Sequence, residues 1–149
     1  MYELRHLTAT DVPLMNGMLA MFGEAFEDVP TYQGAVPDEA YLASLLAAPD
    51  FIALAAVDGD LVIGGLAAYV LNKFERARRE IYIYDLAVAV AYRRSGIATA
   101  LIKQLVEIGR ARGAYVIFVQ ADPPDAPAVA LYESLGTRED VYHFDIPIE

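Results

Sequence analysis

The chain has 149 residues, enough for one compact domain, and although 56% of them are hydrophobic no apolar run approaches the roughly 20 residues that a bilayer span requires. With no cysteine and only two histidines, His6 and His143, it has no means of forming disulfides, thiolate metal sites, a cysteine-held covalent intermediate or a histidine-rich metal centre. The net charge of -10 disfavours nucleic acid and anionic membranes as partners and attracts cationic small molecules over long range. No Gly-x-Ser-x-Gly turn is present, which argues against a serine hydrolase. The first residues lack a basic start and an apolar stretch, so the expected location is the cytoplasm.

In chain order, Met1 to Leu7 alternates as a strand does. Thr8 followed by Asp11 resembles a capping arrangement for a helix running towards Phe26, with Leu14, Met15, Met18, Leu19 and Phe22 on its apolar face. Glu27 to Pro37 carries two prolines and a glycine and reads as a loop; Pro37 and Asp38 then open a second helix that ends before Pro49. Phe51 to Val57 and Leu61 to Val70 read as strands joined by the hairpin signal Asp58-Gly59-Asp60. A third strand over Glu80 to Val88 completes an antiparallel meander. A helix over Gly96 to Ala111, a strand over Tyr115 to Ala121, a helix over Ala126 to Leu135 and a last strand over Glu139 to Ile146 follow. This order predicts an α/β domain spanning 1–149, with a mixed central sheet. Glu80 to Val88 and Tyr115 to Ala121 are parallel neighbours in it, joined by a crossover helix.

The stretch that carries chemistry is Tyr84-Asp85-Leu86-Ala87-Val88 leading to Arg93-Arg94-Ser95-Gly96-Ile97-Ala98-Thr99, a strand followed by a basic, glycine-containing turn into a helix. Unpaired N–H groups at a helix start converge on one point, where the helix dipole also favours negative charge. Gly96 permits close approach and positive φ, Ala98 is small, and Arg93 and Arg94 can add charge-assisted contacts to phosphate. Neither a Walker loop nor a Gly-x-Gly-x-x-Gly fingerprint is present. A tight turn carrying two solvated arginines is the plainer reading of the same residues.

Arg93 to Ala98 matches the Gln/Arg-x-x-Gly-x-Gly/Ala motif of the GCN5-related N-acetyltransferase superfamily, and Ala128 to Gly136 resembles that family's second signature. The resemblance implies the family fold, a mixed sheet with a splayed parallel strand pair flanked by helices, and acetyl-coenzyme A as donor. It further implies a bulged strand whose free backbone near Leu86, Ala87 and Val88 pairs with pantetheine and polarises the thioester, with direct transfer to an amine. Tyr132 matches the tyrosine that commonly protonates the departing thiolate, and this role is favoured over that of a core aromatic packed beside Leu131 and Leu135. Asp85 is the first candidate for the base. Glu80 and Tyr84 share the opposite face by the period of two, unless a bulge resets it. Many members of the superfamily have Asn where Asp125 stands, which puts a phosphate contact by this residue in doubt.

Blocks outside these motifs, among them Phe22-Gly23-Glu24, Phe26 to Tyr32, Leu66 to Phe74 and His143 to Ile146, are similar to the type I aminoglycoside 3-N-acetyltransferases. That closer resemblance implies acetylation of the 3-amino group of the deoxystreptamine ring, and a homodimer. Glu24, Glu27 and Asp28 near the end of the first helix, Asp122 and Asp125 beside the second motif, and Asp145 could together edge a cleft for several ammonium groups. The same carboxylates would also suit an ordinary solvated surface. Acetylation of a polyamine or a protein amino group, or cofactor binding without turnover, are the competing functions.

Overall fold

The computed structural model describes residues 1–149. Five strands form one sheet in chain order: β1 (Glu3–His6), β2 (Phe51–Asp58), β3 (Leu61–Asn72), β4 (Arg79–Val88) and β5 (Ala114–Val119). The first four are antiparallel neighbours, and β5 pairs parallel to β4 after a crossover through α4 (Ile97–Ala111). Helices α1 (Val12–Ala25), α2 (Val29–Gln33) and α3 (Glu39–Ala47) precede β2, and α5 (Ala126–Leu135) follows β5.

β2 is buried along almost its whole length because the sheet is covered on both sides. Phe51, Ala53, Ala55 and Val57 pack with α1 and α3, whereas Ile52, Leu54 and Ala56 pack with α4. Two adjacent glycines in β3 let both layers come close at the same place. A methyl group on Gly65 would lie 2.5 Å from Met18 Sδ of α1, and one on Gly64 would lie 2.8 Å from Ile97 Cγ2 of α4. Since Gly64 is also the register partner of Val88, its missing side chain lets the first residue of α4 sit against the sheet beside the end of β4.

The loop expected over Glu27 to Pro37 contains a short helix, α2, whose start is capped by the Asp28 carboxylate accepting from Thr31 N–H at 3.4 Å. The capping pair before α1 forms from the other side: Asp11 folds back to accept from Thr8 N–H at 2.7 Å and makes no side-chain cap to the helix. The strand expected over Glu139 to Ile146 is absent; nothing after Leu135 is helix or strand. Alternation in sequence specifies which faces a strand would have, but a strand exists only where a second strand supplies hydrogen bonds, and none lies alongside within this chain.

Candidate functional site

The parallel ladder between β4 and β5 runs from Arg79 to Ile83 and ends where Ile83 meets Val119. β4 continues to Val88 with only β3 beside it, so from Tyr84 onward one edge of the strand is open. The register against β3 slips between Ala67 and Ala68, which face Asp85 and Ile83, leaving Tyr84 as the extra residue of a bulge. This resolves the question of faces. Before the bulge Ile81 and Ile83 point into the core, and after it Tyr84 and Asp85 both line the cleft beside the parting strands, where Tyr82 also stands.

That cleft has a volume of about 370 Å³. Asp85, Asp122, Asp125, Tyr132 and His143 all line it, with Phe26 at its α1 rim. One wall is aromatic. Tyr82 and Tyr84 line it at a centroid spacing of 5.7 Å, backed outside the cleft by Phe118, 4.6 Å from Tyr82, and Tyr69, 5.9 Å from Tyr84, and the Tyr82 hydroxyl donates to Gln120 Oε1 at 2.9 Å. Carboxylates among π faces suit a cationic guest.

Asp85 has a partner in Tyr32 of α2, whose hydroxyl donates to Asp85 Oδ2 at 3.1 Å. Burial pushes the Asp85 carboxyl above its ordinary range, and the Tyr32 hydrogen bond pulls it partly back. The phenol of Tyr32 is itself raised, by burial first and then by the Asp85 charge, so it stays a donor. Tyr32 is fixed in turn by Phe22 and Phe26, at centroid distances of 5.8 and 5.6 Å. Nothing in the local pattern singles out Tyr32, because its meeting with Asp85 spans 53 positions of sequence. Tyr132, on α5, is half-buried, and its phenol is raised by burial and then by Asp125.

Beside the open end of β4 lies the turn into α4. Gly96 is its N-cap residue at φ 81°, no side chain caps the helix, and Arg94 also has positive φ, 64°. From Arg94 to Thr99 no backbone N–H donates to a backbone or side-chain acceptor, and the first helical bond of the region is Ala100 N–H to Gly96 O at 3.0 Å. A methyl group on Gly96 would meet nothing within 4 Å. The result is an open turn carrying unsatisfied donors, which suits phosphate oxygens. Arg93 is used otherwise: its guanidinium donates to Val88 O at 3.0 Å and to Ala25 O at 3.5 Å, tying the turn to the ends of β4 and α1. Ser95 donates its hydroxyl to Tyr92 O.

The remaining candidates are dispersed. Glu80 accepts from the Tyr115 hydroxyl and pairs with Lys73 at 3.3 Å, away from the cleft. Asp28 is engaged as the α2 cap and Glu27 lies beside it, neither of them lining the cleft. Asp145 is exposed and pairs with His143 at 2.8 Å. Asp125 caps α5 by accepting from Ala128 N–H at 3.3 Å, which accounts for a carboxylate there without any contact to phosphate.

A bulged strand with one free edge, ending beside a run of free amides, offers strand-like pairing along that edge and unsatisfied donors at its end. The chain matches the acetyltransferase (GNAT) family over residues 15–137 and belongs to that family. An aminoglycoside acetyltransferase from an uncultured soil metagenomic sample is similar in structure with a TM-score of 0.98 and 58% identity, over 100% of this chain and 99% of that one. Another from an uncultured soil metagenomic sample, in complex with sisomicin, has a TM-score of 0.91 and 29% identity, over 99% and 97% of the two chains. Among curated relatives, glucosamine 6-phosphate N-acetyltransferase of Trypanosoma brucei brucei is 33% identical over 78 residues, 52% of this chain and 51% of that protein. The ribosomal protein bS18-alanine N-acetyltransferase of Escherichia coli K12 is 32% identical over 76 residues, 51% and 50% respectively. The matched region thus spans about half the length of these curated relatives. No helix is long and apolar enough to cross a membrane.

Proposed function

We propose that this protein transfers the acetyl group of acetyl-coenzyme A directly to an amino group of an aminoglycoside, the 3-amino group of the deoxystreptamine ring being the favoured position. The observation that carries the reading is the opening of the sheet at Ile83 and Val119, with the free amides of Arg94 to Thr99 at one side and a cleft lined by Asp85, Asp122 and Asp125 at the other. Similarity to aminoglycoside acetyltransferases along the whole chain, not only over the donor motifs, supports the acceptor class. The particular amine rests on the sequence resemblance.

Acetyl-coenzyme A supplies an acetyl group activated as a thioester. The amides from Arg94 to Thr99, with Gly96 and Ala98 keeping the approach clear, receive its diphosphate, and Arg94 adds charge. The free edge at Leu86, Ala87 and Val88 offers strand-like pairing to an amide chain, and an N–H there can stabilise a developing oxyanion, a contribution of about 3 kcal/mol per donor in comparable sites. Asp85 takes a proton from the acceptor's ammonium, freeing the amine's lone pair to attack the thioester carbonyl. Its raised affinity for a proton makes it a stronger base than an exposed carboxylate, and Tyr32 holds it in place. Burial and Asp125 keep the Tyr132 phenol protonated, so it has a proton to donate to the charge developing on the departing sulfur. Asp122 and the Tyr82–Tyr84 wall hold further ammonium groups of the acceptor, while Asp28 and Glu27 supply longer-range attraction.

Thiol release, measured with purified protein, acetyl-coenzyme A and a panel of gentamicin, kanamycin, spermidine and alanine-ended peptides, tests this reading. Release with gentamicin, and a product acetylated at the 3-amino group by NMR, is expected. Release with peptides or spermidine alone would overturn the antibiotic assignment, and tight donor binding without any release would leave a regulatory module.

A further inference from the structure

Arg93 stands at the start of the turn into α4, but its side chain is engaged with two carbonyls of other segments. Nε donates to Val88 O at the end of β4, at 3.0 Å, and Nη2 to Ala25 O at the end of α1, at 3.5 Å and 68 positions away in sequence. α1 has no basic residue in its own last turn, so the negative end of its dipole is met by a charge from elsewhere. A guanidinium presents its N–H groups in a rigid plane and can hold two carbonyls at a fixed separation, which a lysine ammonium on its flexible stem does not reproduce.

The two carbonyls belong to different parts of the site. Val88 ends the open edge of β4 and leads to the free amides, the side assigned above to the donor. Ala25 is followed by Phe26, which lines the cleft and packs on Tyr32 at 5.6 Å, and Tyr32 in turn donates to Asp85 at 3.1 Å. Backbone strain sits on both sides of the link. The non-glycine residues with positive φ are Glu27, at 53°, two positions after Ala25, and Arg94, at 64°, directly after Arg93. Side-chain-bearing residues keep this conformation only where surrounding contacts impose it, and such positions gather at functional sites.

We propose that Arg93 is a positioning residue for acetyl transfer: by holding the end of α1 against the end of β4, it sets the α1 and α2 wall of the acceptor cleft at a fixed distance from the donor. Attack needs the amine and the thioester carbonyl about 3–3.5 Å apart, and a displacement of about 1 Å costs on the order of 100-fold in rate. Without Arg93 the free amides still receive the donor, and the carboxylates and aromatic rings of the cleft still receive the acceptor. The two then meet out of register. The loss therefore falls on kcat and leaves both affinities nearly unchanged. This consequence rests on the donor and acceptor reading above; the link between α1 and β4 does not.

Arg93→Lys separates this role from a contact to phosphate, because the charge is kept and the planar fork is lost. With the amine that the unaltered protein acetylates fastest, kcat should fall about tenfold in Arg93→Lys and about 100-fold in Arg93→Ala, while acceptor KM and the calorimetric Kd for coenzyme A stay within about twofold. Arg93 is exposed, so guanidinium ions at millimolar concentration can reach the space it leaves. They should restore part of the Arg93→Ala rate, whereas methylammonium should restore none. A matching loss of coenzyme A affinity would make Arg93 a phosphate ligand instead, and an unchanged kcat in Arg93→Lys, or a loss indifferent to guanidinium, would overturn the proposal. Hydrogen exchange reads the link with no acceptor present: the amides of α2 and of the last turn of α1 should exchange faster in both variants, and unaltered exchange there would refute it. Inactivity towards gentamicin alongside transfer to another amine would sink the aminoglycoside assignment alone.

Discussion

Replacing Tyr32 by Phe removes one hydroxyl and leaves the ring that packs on Phe22 and Phe26, so the perturbation is confined to the hydrogen bond on Asp85. A hydrogen bond to a charged group contributes about 1.5–3 kcal/mol, and at 3.1 Å in a cleft open to water the low end applies. The bond favours the ionised carboxylate, whereas burial favours the neutral acid. Its loss raises the proton affinity of Asp85 further, and the acidic limb of the kcat/KM profile moves to higher pH. On that limb the rate should fall about tenfold, the equivalent of about 1.4 kcal/mol, while the alkaline plateau changes little. The stability difference between the two proteins follows the same sign: it is present at neutral pH, where a less supported charge stays buried, and shrinks as acid neutralises Asp85. The assay is thiol release with gentamicin across pH, paired with thermal melts. Superimposable profiles, or an equal loss at every pH, would refute the role of Asp85 as base and of Tyr32 as its support.

Tyr132→Phe should lower kcat by about 100-fold or more while coenzyme A affinity by calorimetry stays unchanged, as expected for loss of a proton donor used only during transfer. Gly96→Ala places a side chain at φ 81°, costing about 1–2 kcal/mol in stability, visible as a melting-temperature drop of about 3–6 °C. Since the new methyl group projects into the open space beside the free amides, coenzyme A binding should weaken about tenfold as well; unchanged affinity would show that phosphates dock elsewhere. Asp28→Asn preserves a good helix cap yet removes a charge, so KM for gentamicin should rise about two- to fivefold at low salt and the difference should vanish at high salt. A salt-independent effect would point to damage in α2 instead.

Most elements were legible because their signals are local. The periodicity of Ile97, Leu101 and Leu105 forces one face of α4 inward, and Asp58-Gly59-Asp60 turns the chain between β2 and β3 whatever the rest does. The free amides of the turn into α4 were legible for the same reason, since Gly96 and the start of a helix suffice to leave them unpaired. Around Asp85 the sequence offered two incompatible faces. Only the slip of β4 against β3 puts Tyr84 and Asp85 on the same cleft, because a bulge belongs to a pair of strands. The short helix in the loop after α1, and with it Tyr32, depends on a cap at Asp28 and on packing against Phe22 that no single window contains.

Residue order alone thus determined the α/β class, the order of most of the secondary-structure elements, the glycine turn that opens α4 and the excess of negative charge. Each of these follows from covalent neighbours, from spacing or from counting. Tertiary structure decided which carboxylate enters the cleft, that Arg93 braces the turn through Val88 and Ala25, and that Glu80 is held by Lys73 and Tyr115 instead. It also decided the state of residues 139–146, which alternate as a strand but remain unpaired. A side chain's role depends on what reaches it from distant positions, and a strand depends on a neighbour for its hydrogen bonds.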